Sequence, residues 1–303
     1  MSKKIFSKLF SLLFISLLVA CSDDSSDSPT SAPLQPYSSS ITADFFSSSS
    51  LTEFDSTLSS SSMNETPTLP DSLAILPDAD GFYAIADVYK NLKNSDKVAF
   101  LLRHAERIDD LGQEATLTEK GETQSIQLGE SLAGEDEFYY ASSGFVRTTE
   151  TCKKVALGRG EGNVEVVAWD GLDGNYFVLD TALFNKYSKI RGGAWKVLAK
   201  WAYTGTTPDA FYNLNERGDQ YISEVILPAM NSWENQVAFL SSHDVLLMPL
   251  TVYASKGTID LKFHENGRWI NYLTGIAIIR DENGNVNLLP VKGLETGIMG
   301  VNG

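Results

Sequence analysis

Arginine and histidine gather at three points of this chain, each directly after an apolar run typical of a buried strand. The segment FLLRHAERIDD holds Arg103, His104 and Arg107. Arg147 follows YYASSGFV, and His243 follows VAFLSS. The whole chain has only 3 histidines, so the placement of two of them after strands is informative. Because functional side chains of α/β folds collect where strands end and loops begin, we expect these residues to share one pocket.

A pocket of this composition is suited to phosphate. A guanidinium group donates two parallel N–H bonds to phosphate oxygens, so three arginines would concentrate positive charge around a tetrahedral dianion. The same charge disfavours the protonated form of an imidazole and keeps the ring neutral and nucleophilic. Asp244, directly after the second histidine, could pass a proton to a departing alkoxide. These residue types predict phosphoryl transfer without a metal.

Strands and helices alternate along the chain from about residue 76 to its end, which predicts an α/β sandwich. Apolar runs predict strands at 97–102, 137–144 and 164–169, a strand followed by a helix within 236–254, and a hairpin at 274–291. Helical spacing predicts helices at 82–92, 117–133 and 147–157, the second capped by Thr118. The aromatic-rich segment at about 172–235 is expected to form a small helical insertion. Of its aromatic residues, Trp195, Trp201 and Tyr203 are expected to be core.

The motifs around the charged residues resemble those of the histidine phosphatase superfamily, which includes the phosphoglycerate mutases and the histidine acid phosphatases. LLRHAER is similar to the family's Arg-His-Gly motif, and LTEKGETQSIQLGESL to the helix that follows it. ASSGFVRTTET resembles the later Ser…Arg-Thr segment, and SSHD the second-histidine motif. The four segments occur in the family's order. The resemblance implies a three-layer α/β/α sandwich with a mostly parallel central sheet, and a metal-independent phosphomonoester hydrolase.

Carried over residue by residue, the resemblance implies that His104 is the nucleophile and forms a phosphohistidine. Arg103, Arg107 and Arg147 would hold the phosphate, and His243 would donate a hydrogen bond to the same group. The resemblance implies no cofactor. It also implies that substrate specificity lies in the helical insertion, so that some of its rings could line the mouth of the site. A phosphomutase or phosphotransferase of the same superfamily is an alternative, as is a non-catalytic lipoprotein that binds phosphate or a glycan.

The proton donor has three candidates. Asp244 corresponds to the proton donor of the acid phosphatase branch. In the mutase-like branch the donor comes from a loop between the two histidine motifs, and the loop WDGLDGNYF here contains Asp170 and Asp173. Asp244 is preferred because the mutase-like branch normally has glycine after its second histidine. Ala105 also departs from the family pattern, since it replaces a glycine beside the floor of the pocket.

Three of these residues also have purely structural interpretations. His104 could be a core histidine whose ring bonds a backbone carbonyl. Arg147 could pair with Glu150 or Glu122 at the start of a helix. Asp244 could be the N-cap of the helix that continues with VLLMPL. The order of the four motifs favours the functional interpretation.

The first 75 residues are predicted to export and anchor the protein. Residues 1–20 have a basic head and a short apolar stretch, as in a secretory signal peptide. The sequence LVAC resembles the lipobox of bacterial lipoproteins, which implies acylation of Cys21. Residues 21–75 are rich in serine and aspartate and are predicted to form a disordered tether. We therefore expect an exported, membrane-anchored lipoprotein, periplasmic or on the cell surface; an ordinary signal peptide is the alternative.

Composition narrows the range of partners. The formal net charge of −15 is unsuited to nucleic acid. The arginines and the resemblance imply a small phosphorylated molecule as the substrate. With Cys21 acylated, Cys152 remains alone and no intrachain disulfide can form. The 3 histidines are far apart in sequence and lack the spacing of zinc ligands, so no metal is expected. Nothing in the sequence specifies the oligomeric state.

Overall fold

The computed structural model describes residues 75–301. The predicted signal peptide, Cys21 and nearly all of the predicted tether lie outside these residues. Within the described range, no helix is long and apolar enough to cross a bilayer.

Seven of the strands form one central sheet, and two form a small ribbon. In chain order the described strands are β1 (Tyr83–Ala84), β2 (Lys97–Arg103), β3 (Tyr139–Ser142), β4 (Val167–Ala168), β5 (Val237–Ser242), β6 (Arg268–Ile270), β7 (Thr274–Arg280), β8 (Val286–Lys292) and β9 (Ile298–Gly300). The central sheet has the order β1-β8-β7-β2-β5-β3-β4, and β6 pairs with β9. In the central sheet, β7 runs antiparallel to β2 and β8, and all other neighbours are parallel. The prediction of a mostly parallel central sheet is confirmed.

Helices cover both faces of this sheet. They are α1 (Ile85–Lys90), α2 (Glu119–Ser131), α3 (Val146–Arg159), α4 (Thr181–Arg191), α5 (Ala194–Thr204), α6 (Leu214–Gln220), α7 (Leu227–Ser232), α8 (Asp244–Ala254) and α9 (Phe263–Asn266). A π-helical stretch, Tyr221–Ile226, joins α6 to α7. The segment between β4 and β5 is therefore largely helical.

Helices pack on both faces of the central strands, because successive side chains of a strand point to opposite faces of the sheet. From β2, Phe100 and Leu102 pack with residues of α1, α2 and α3. On the other face, Ala99 and Leu101 pack with residues of α5 and α8. The result is the three-layer α/β/α sandwich that the resemblance implied.

The start of α2 supports the loop that follows β2. Thr118 is the N-cap of α2, as predicted, and its hydroxyl accepts a hydrogen bond from the backbone N–H of Gly121 at 3.0 Å. The backbone N–H of Thr118 donates to the carbonyl oxygen of Glu106 at 2.9 Å. Gly121 permits this close approach, since a Cβ there would lie 2.1 Å from the same oxygen. The helix therefore fixes the loop that carries His104.

Two predicted elements are shorter than expected. The strand predicted at 164–169 is only β4, whose two residues are exposed at the edge of the sheet. The helix predicted at 82–92 begins instead as β1, because Tyr83 pairs with Val291 of β8. That partner lies more than 200 residues away in sequence, so local helical spacing does not reveal it.

Candidate active site

The three charged strand ends meet at one edge of the central sheet. Strands β2, β5 and β3 are parallel neighbours, and Arg103 at the end of β2 is in register with Ser242 at the end of β5. The backbone N–H of His104 donates to the carbonyl oxygen of Ser242 at 2.9 Å. The ring centroids of His104 and His243 are 5.5 Å apart. The predicted convergence of the two histidines is therefore observed.

His104 is held with one ring nitrogen engaged. Its side chain is buried, with 3% of the residue exposed, and Nδ1 lies 2.7 Å from the carbonyl oxygen of Ala105. A carbonyl oxygen only accepts, so Nδ1 carries the proton and Nε2 keeps its lone pair. Burial lowers the pKa of His104 well below its usual value, and the charge of Arg103 lowers it further. The interpretation of His104 as a core histidine bonded to a backbone carbonyl therefore accounts only for Nδ1. The ring is a neutral imidazole, and its Nε2 has no partner among the described residues.

His243 has the opposite arrangement of protons. Nδ1 lies 3.4 Å from Nη2 of Arg147, and Nε2 lies 2.9 Å from the hydroxyl of Ser143. A guanidinium group only donates, so Nδ1 is the acceptor and Nε2–H donates to Ser143. Burial, and then the charge of Arg147, lower the pKa of His243 to about 4. The ring of Phe145 packs edge-on against it, with centroids 4.7 Å apart.

Arg103 and Arg147 are both buried, and each has one unsatisfied donor. Nη1 of Arg103 donates to the carbonyl oxygen of Ile270 at 2.6 Å, and Nη1 of Arg147 donates to that of Gly112 at 2.7 Å. The Arg103 guanidinium lies over the ring of Tyr272, 4.2 Å from its centroid. Nε of both arginines is buried without an acceptor among the described residues. Buried charged donors without acceptors are costly, and the positive charge of the two arginines favours an anion in the site.

The alternative interpretation, in which Arg147 pairs with Glu150 or Glu122, is wrong. Glu150 accepts a hydrogen bond from the backbone N–H of Leu117 at 2.8 Å. Glu122 pairs with Lys154 at 2.7 Å. Both carboxylates are thus directed elsewhere, and Arg147 faces the second histidine.

Arg107, the third predicted phosphate ligand, bonds to its own loop. Its Nη1 donates to the carbonyl oxygens of Ile108 and Asp110, each at 2.7 Å. Its charge nevertheless reaches the site. Burial lowers the pKa of Arg147 and Arg107 lowers it further, and Arg107 also contributes to the lowered pKa of His243. Arg107 therefore adds positive potential to the pocket.

Asp244 is directed into the site by three donors to a single oxygen. Its Oδ2 lies 3.3 Å from Nη2 of Arg103, 3.2 Å from Nε1 of Trp195 and 3.1 Å from Nε1 of Trp269. Burial raises the pKa of this carboxyl, but Arg103 and the indole bonds outweigh burial and lower it to about 2. The N-cap interpretation is wrong: the N-cap of α8 is His243, and Asp244 is the first helical residue.

The two alternative proton donors lie on the exposed loop after β4. Asp170 begins a 3₁₀ turn, Asp170–Leu172, and both Asp170 and Asp173 are exposed. A Cβ on Gly174 would lie 3.7 Å from Cβ of His243, so this loop passes beside the second histidine. Asp173 accepts from the backbone N–H of Asn175 at 3.3 Å. In the described structure neither carboxylate bonds a histidine or arginine of the site.

Four further residues of the site were not predicted to act there: Ser143, Phe145, Trp269 and Tyr272. Ser143 and Phe145 lie within a motif that the sequence already singled out. The expectation that Trp195 is core is wrong, because it is 39% exposed and its indole lies at the site, against Asp244; Trp201 is core, as expected. Among residues 75–301, no group of three or more His, Cys, Asp or Glu side chains is arranged to hold a metal.

Comparison with known protein families agrees with this geometry. The model of the histidine phosphatase superfamily (branch 1) matches residues 99–269, which is more than half of the chain. The chain belongs to this superfamily. The match contains His104, Arg147 and His243, but it assigns no role to a residue. A comparison with curated protein sequences gives no match.

Solved structures similar to this histidine phosphatase domain include both mutases and phosphatases. A phosphoglycerate mutase from Bacillus anthracis is 16% identical and matches over 65% of this chain and 93% of its own, with a TM-score of 0.42. A mycobacterial glucosyl-3-phosphoglycerate phosphatase is 16% identical over 66% of this chain and 100% of its own, with a TM-score of 0.41. A mutant phosphoserine phosphatase from Entamoeba histolytica, bound to phosphoserine, is 14% identical and matches over 63% of this chain and 94% of its own, with a TM-score of 0.42. The roles of individual residues therefore rest on the geometry of this chain.

Proposed function

We propose that this protein is a metal-independent phosphomonoester hydrolase that acts through a phosphohistidine on His104. The state of His104 is the observation that carries the proposal. Its Nδ1–H is held by a backbone carbonyl, and its Nε2 has no partner among the described residues. Burial and a neighbouring guanidinium keep the ring neutral at physiological pH. A neutral imidazole beside arginines with unsatisfied donors is suited to attack a bound phosphate.

In the first step, Arg103, Arg107 and Arg147 hold the phosphate and His243 donates a hydrogen bond to it. Nε2 of His104 forms a bond to phosphorus, and the bond from phosphorus to the leaving oxygen breaks. The leaving oxygen takes the electron pair of that bond and a proton from Asp244. The products of this step are a free alcohol and a phosphohistidine, whose positive charge is stabilised by the Nδ1–H bond to Ala105.

In the second step, water attacks phosphorus from the side that the alcohol has left. The Asp244 carboxylate takes a proton from the water, and the bond from phosphorus to Nε2 breaks. Inorganic phosphate leaves, and His104 and Asp244 return to their starting states. If an alcohol replaced water in this step, the same site would be a phosphotransferase.

Substrate binding would raise the pKa of Asp244 and so favour its protonated form. In the free enzyme Arg103 holds the pKa of this carboxyl low. A phosphate dianion would neutralise the charge of Arg103 and place negative charge near Asp244, and both effects raise the pKa of the carboxyl. We therefore propose Asp244 as the proton donor, in preference to the exposed Asp170 and Asp173.

The His104→Ala variant tests this proposal with p-nitrophenyl phosphate as substrate. Since the nucleophile is removed, we expect no turnover above that of the solution reaction. His264→Ala, which changes a histidine outside the site, should retain full activity. Turnover of His104→Ala at the wild-type rate would contradict the proposal, and phosphate transfer to an added alcohol instead of water would assign a phosphotransferase.

We also propose that the protein is an exported lipoprotein, with Cys21 as the acylated residue. The support is the lipobox-like LVAC sequence that follows a short apolar stretch. Cells fed labelled palmitate should label the wild-type protein but not a Cys21→Ser variant. Equal labelling of the two would contradict acylation at Cys21.

A further inference from the structure

The carboxyl group of Asp244 is bonded on one side only. All three donors that reach it bond to Oδ2, and among the described residues no hydrogen bond is made to Oδ1. Two of the donors are indole N–H groups from different parts of the fold. Trp269 lies on β6 and is 2% exposed, whereas Trp195 lies in the first turn of α5 and is 39% exposed.

We infer that Trp195 and Trp269 are positioning residues that fix Oδ2 of Asp244, so that Oδ1 is the oxygen that exchanges a proton with the leaving group and with water. This inference rests on the proposed function, because it assigns the orientation of the proposed proton donor. The helical insertion would then contribute to catalysis through Trp195, by orienting Asp244.

The indole bonds differ from the Arg103 bond in one respect that matters to the reaction. Arg103 is charged and is proposed to hold the substrate phosphate, which competes with Asp244 for its N–H groups, so its bond to Asp244 weakens when substrate binds. An indole N–H is neutral and only donates, so a phosphate dianion draws it away much less strongly than a guanidinium. Oδ2 accepts hydrogen bonds whether Oδ1 is protonated or not. The two indoles can therefore hold the carboxyl through both chemical steps.

The indole bonds also bias the ionisation of the carboxyl. They favour the ionised form of Asp244, as does the positive charge of Arg103. Among the described residues, the other titratable or charged groups that act on this site are His104, His243, Arg147 and Arg107. Removal of one indole N–H should raise the pKa of Asp244 and at the same time let the carboxyl rotate.

The test compares Trp195→Phe and Trp269→Phe, which remove the N–H and keep an aromatic ring. Trp233→Phe is the matched control, because its buried Nε1 has no acceptor among the described residues. Each variant is assayed with glycerol 2-phosphate, an alkyl ester that needs a proton donor, and with p-nitrophenyl phosphate, whose leaving group needs one much less. If Trp269→Phe does not fold, the half-exposed Trp195 still decides the question.

For each indole variant we expect kcat on the alkyl ester, measured at its own pH optimum, to fall about 10-fold, with a change under about threefold on the aryl ester. The alkaline limb of the kcat profile should move up by about one pH unit, since Asp244 must be protonated and its pKa rises. The pKa of Asp244 in the free enzyme, from carboxyl ¹³C NMR, should rise by a similar amount. Trp233→Phe should change none of these quantities.

Asp244→Asn separates failure of the inference from failure of the proposed function. If it keeps wild-type activity on the alkyl ester, Asp244 is not the proton donor, and both the assignment and the inference are overturned; Asp173→Asn would then be the next variant. If Asp244→Asn loses that activity but the indole variants behave like Trp233→Phe, only the inference is overturned. An unchanged Asp244 pKa in both indole variants overturns the inference whatever their activity.

Discussion

The two imidazoles of the site carry their protons on different nitrogens. The carbonyl oxygen of Ala105 fixes the proton of His104 on Nδ1, and the guanidinium of Arg147 fixes that of His243 on Nε2. The first ring is left with a free lone pair for attack. The second ring keeps an N–H, now bonded to Ser143, that a phosphate oxygen could accept. The two histidines lie in similar surroundings, yet the first is suited to attack phosphorus and the second to donate a hydrogen bond.

The lowered pKa values of these histidines predict activity in acid. Since the pKa of His104 lies well below its usual 6.5, the nucleophile stays neutral as the pH falls through that value. His243 should protonate only near pH 4, where its own pKa lies. We expect that kcat/KM, corrected for ionisation of the substrate, does not fall as the pH is lowered from 6.5 toward 4. A pH–rate profile measures this, and an acid limb centred near 6.5 would contradict it.

The positions of these residues are set by a few secondary-structure elements. Adjacent parallel strands bring their carboxyl ends to one edge, and α8 begins immediately after His243. The loop that carries His104 is fixed by the start of α2, through Thr118 and Gly121. These contacts hold the nucleophile in place before substrate binds, which reduces the cost of orienting it.

The cap of α2 predicts a local effect on stability. Thr118→Ala removes the hydroxyl that accepts from Gly121, and it should lower the free energy of unfolding by about 0.5–2 kcal/mol. Thr123→Ala is the matched control, since its hydroxyl is exposed and bonds only to the carbonyl of Glu119 in the same helix. Urea denaturation measures both variants. Equal destabilisation by the two changes would show that the cap is not the cause.

At the scale of the whole molecule, the sandwich supplies the charged residues of the site, and the helical insertion and the ribbon of β6 and β9 supply the two indoles that bond to Asp244. The sequence predicts His104, Arg147 and His243 together because each directly follows a short apolar strand, and parallel strands end at one edge. Trp195 and Trp269 could not be predicted in the same way. They reach Asp244 from an insertion and from a separate ribbon, and their positions depend on packing between elements distant in sequence.

The central claim is tested most directly by trapping the phosphorylated enzyme. Wild-type protein mixed with ³²P-labelled p-nitrophenyl phosphate and quenched within one turnover should carry a label that is stable in alkali and labile in acid, as a phosphohistidine is. Mass spectrometry should locate the phosphate on His104, and the His104→Ala variant should carry none. A phosphate on another residue, or hydrolysis at full rate with no labelled enzyme, would contradict the account.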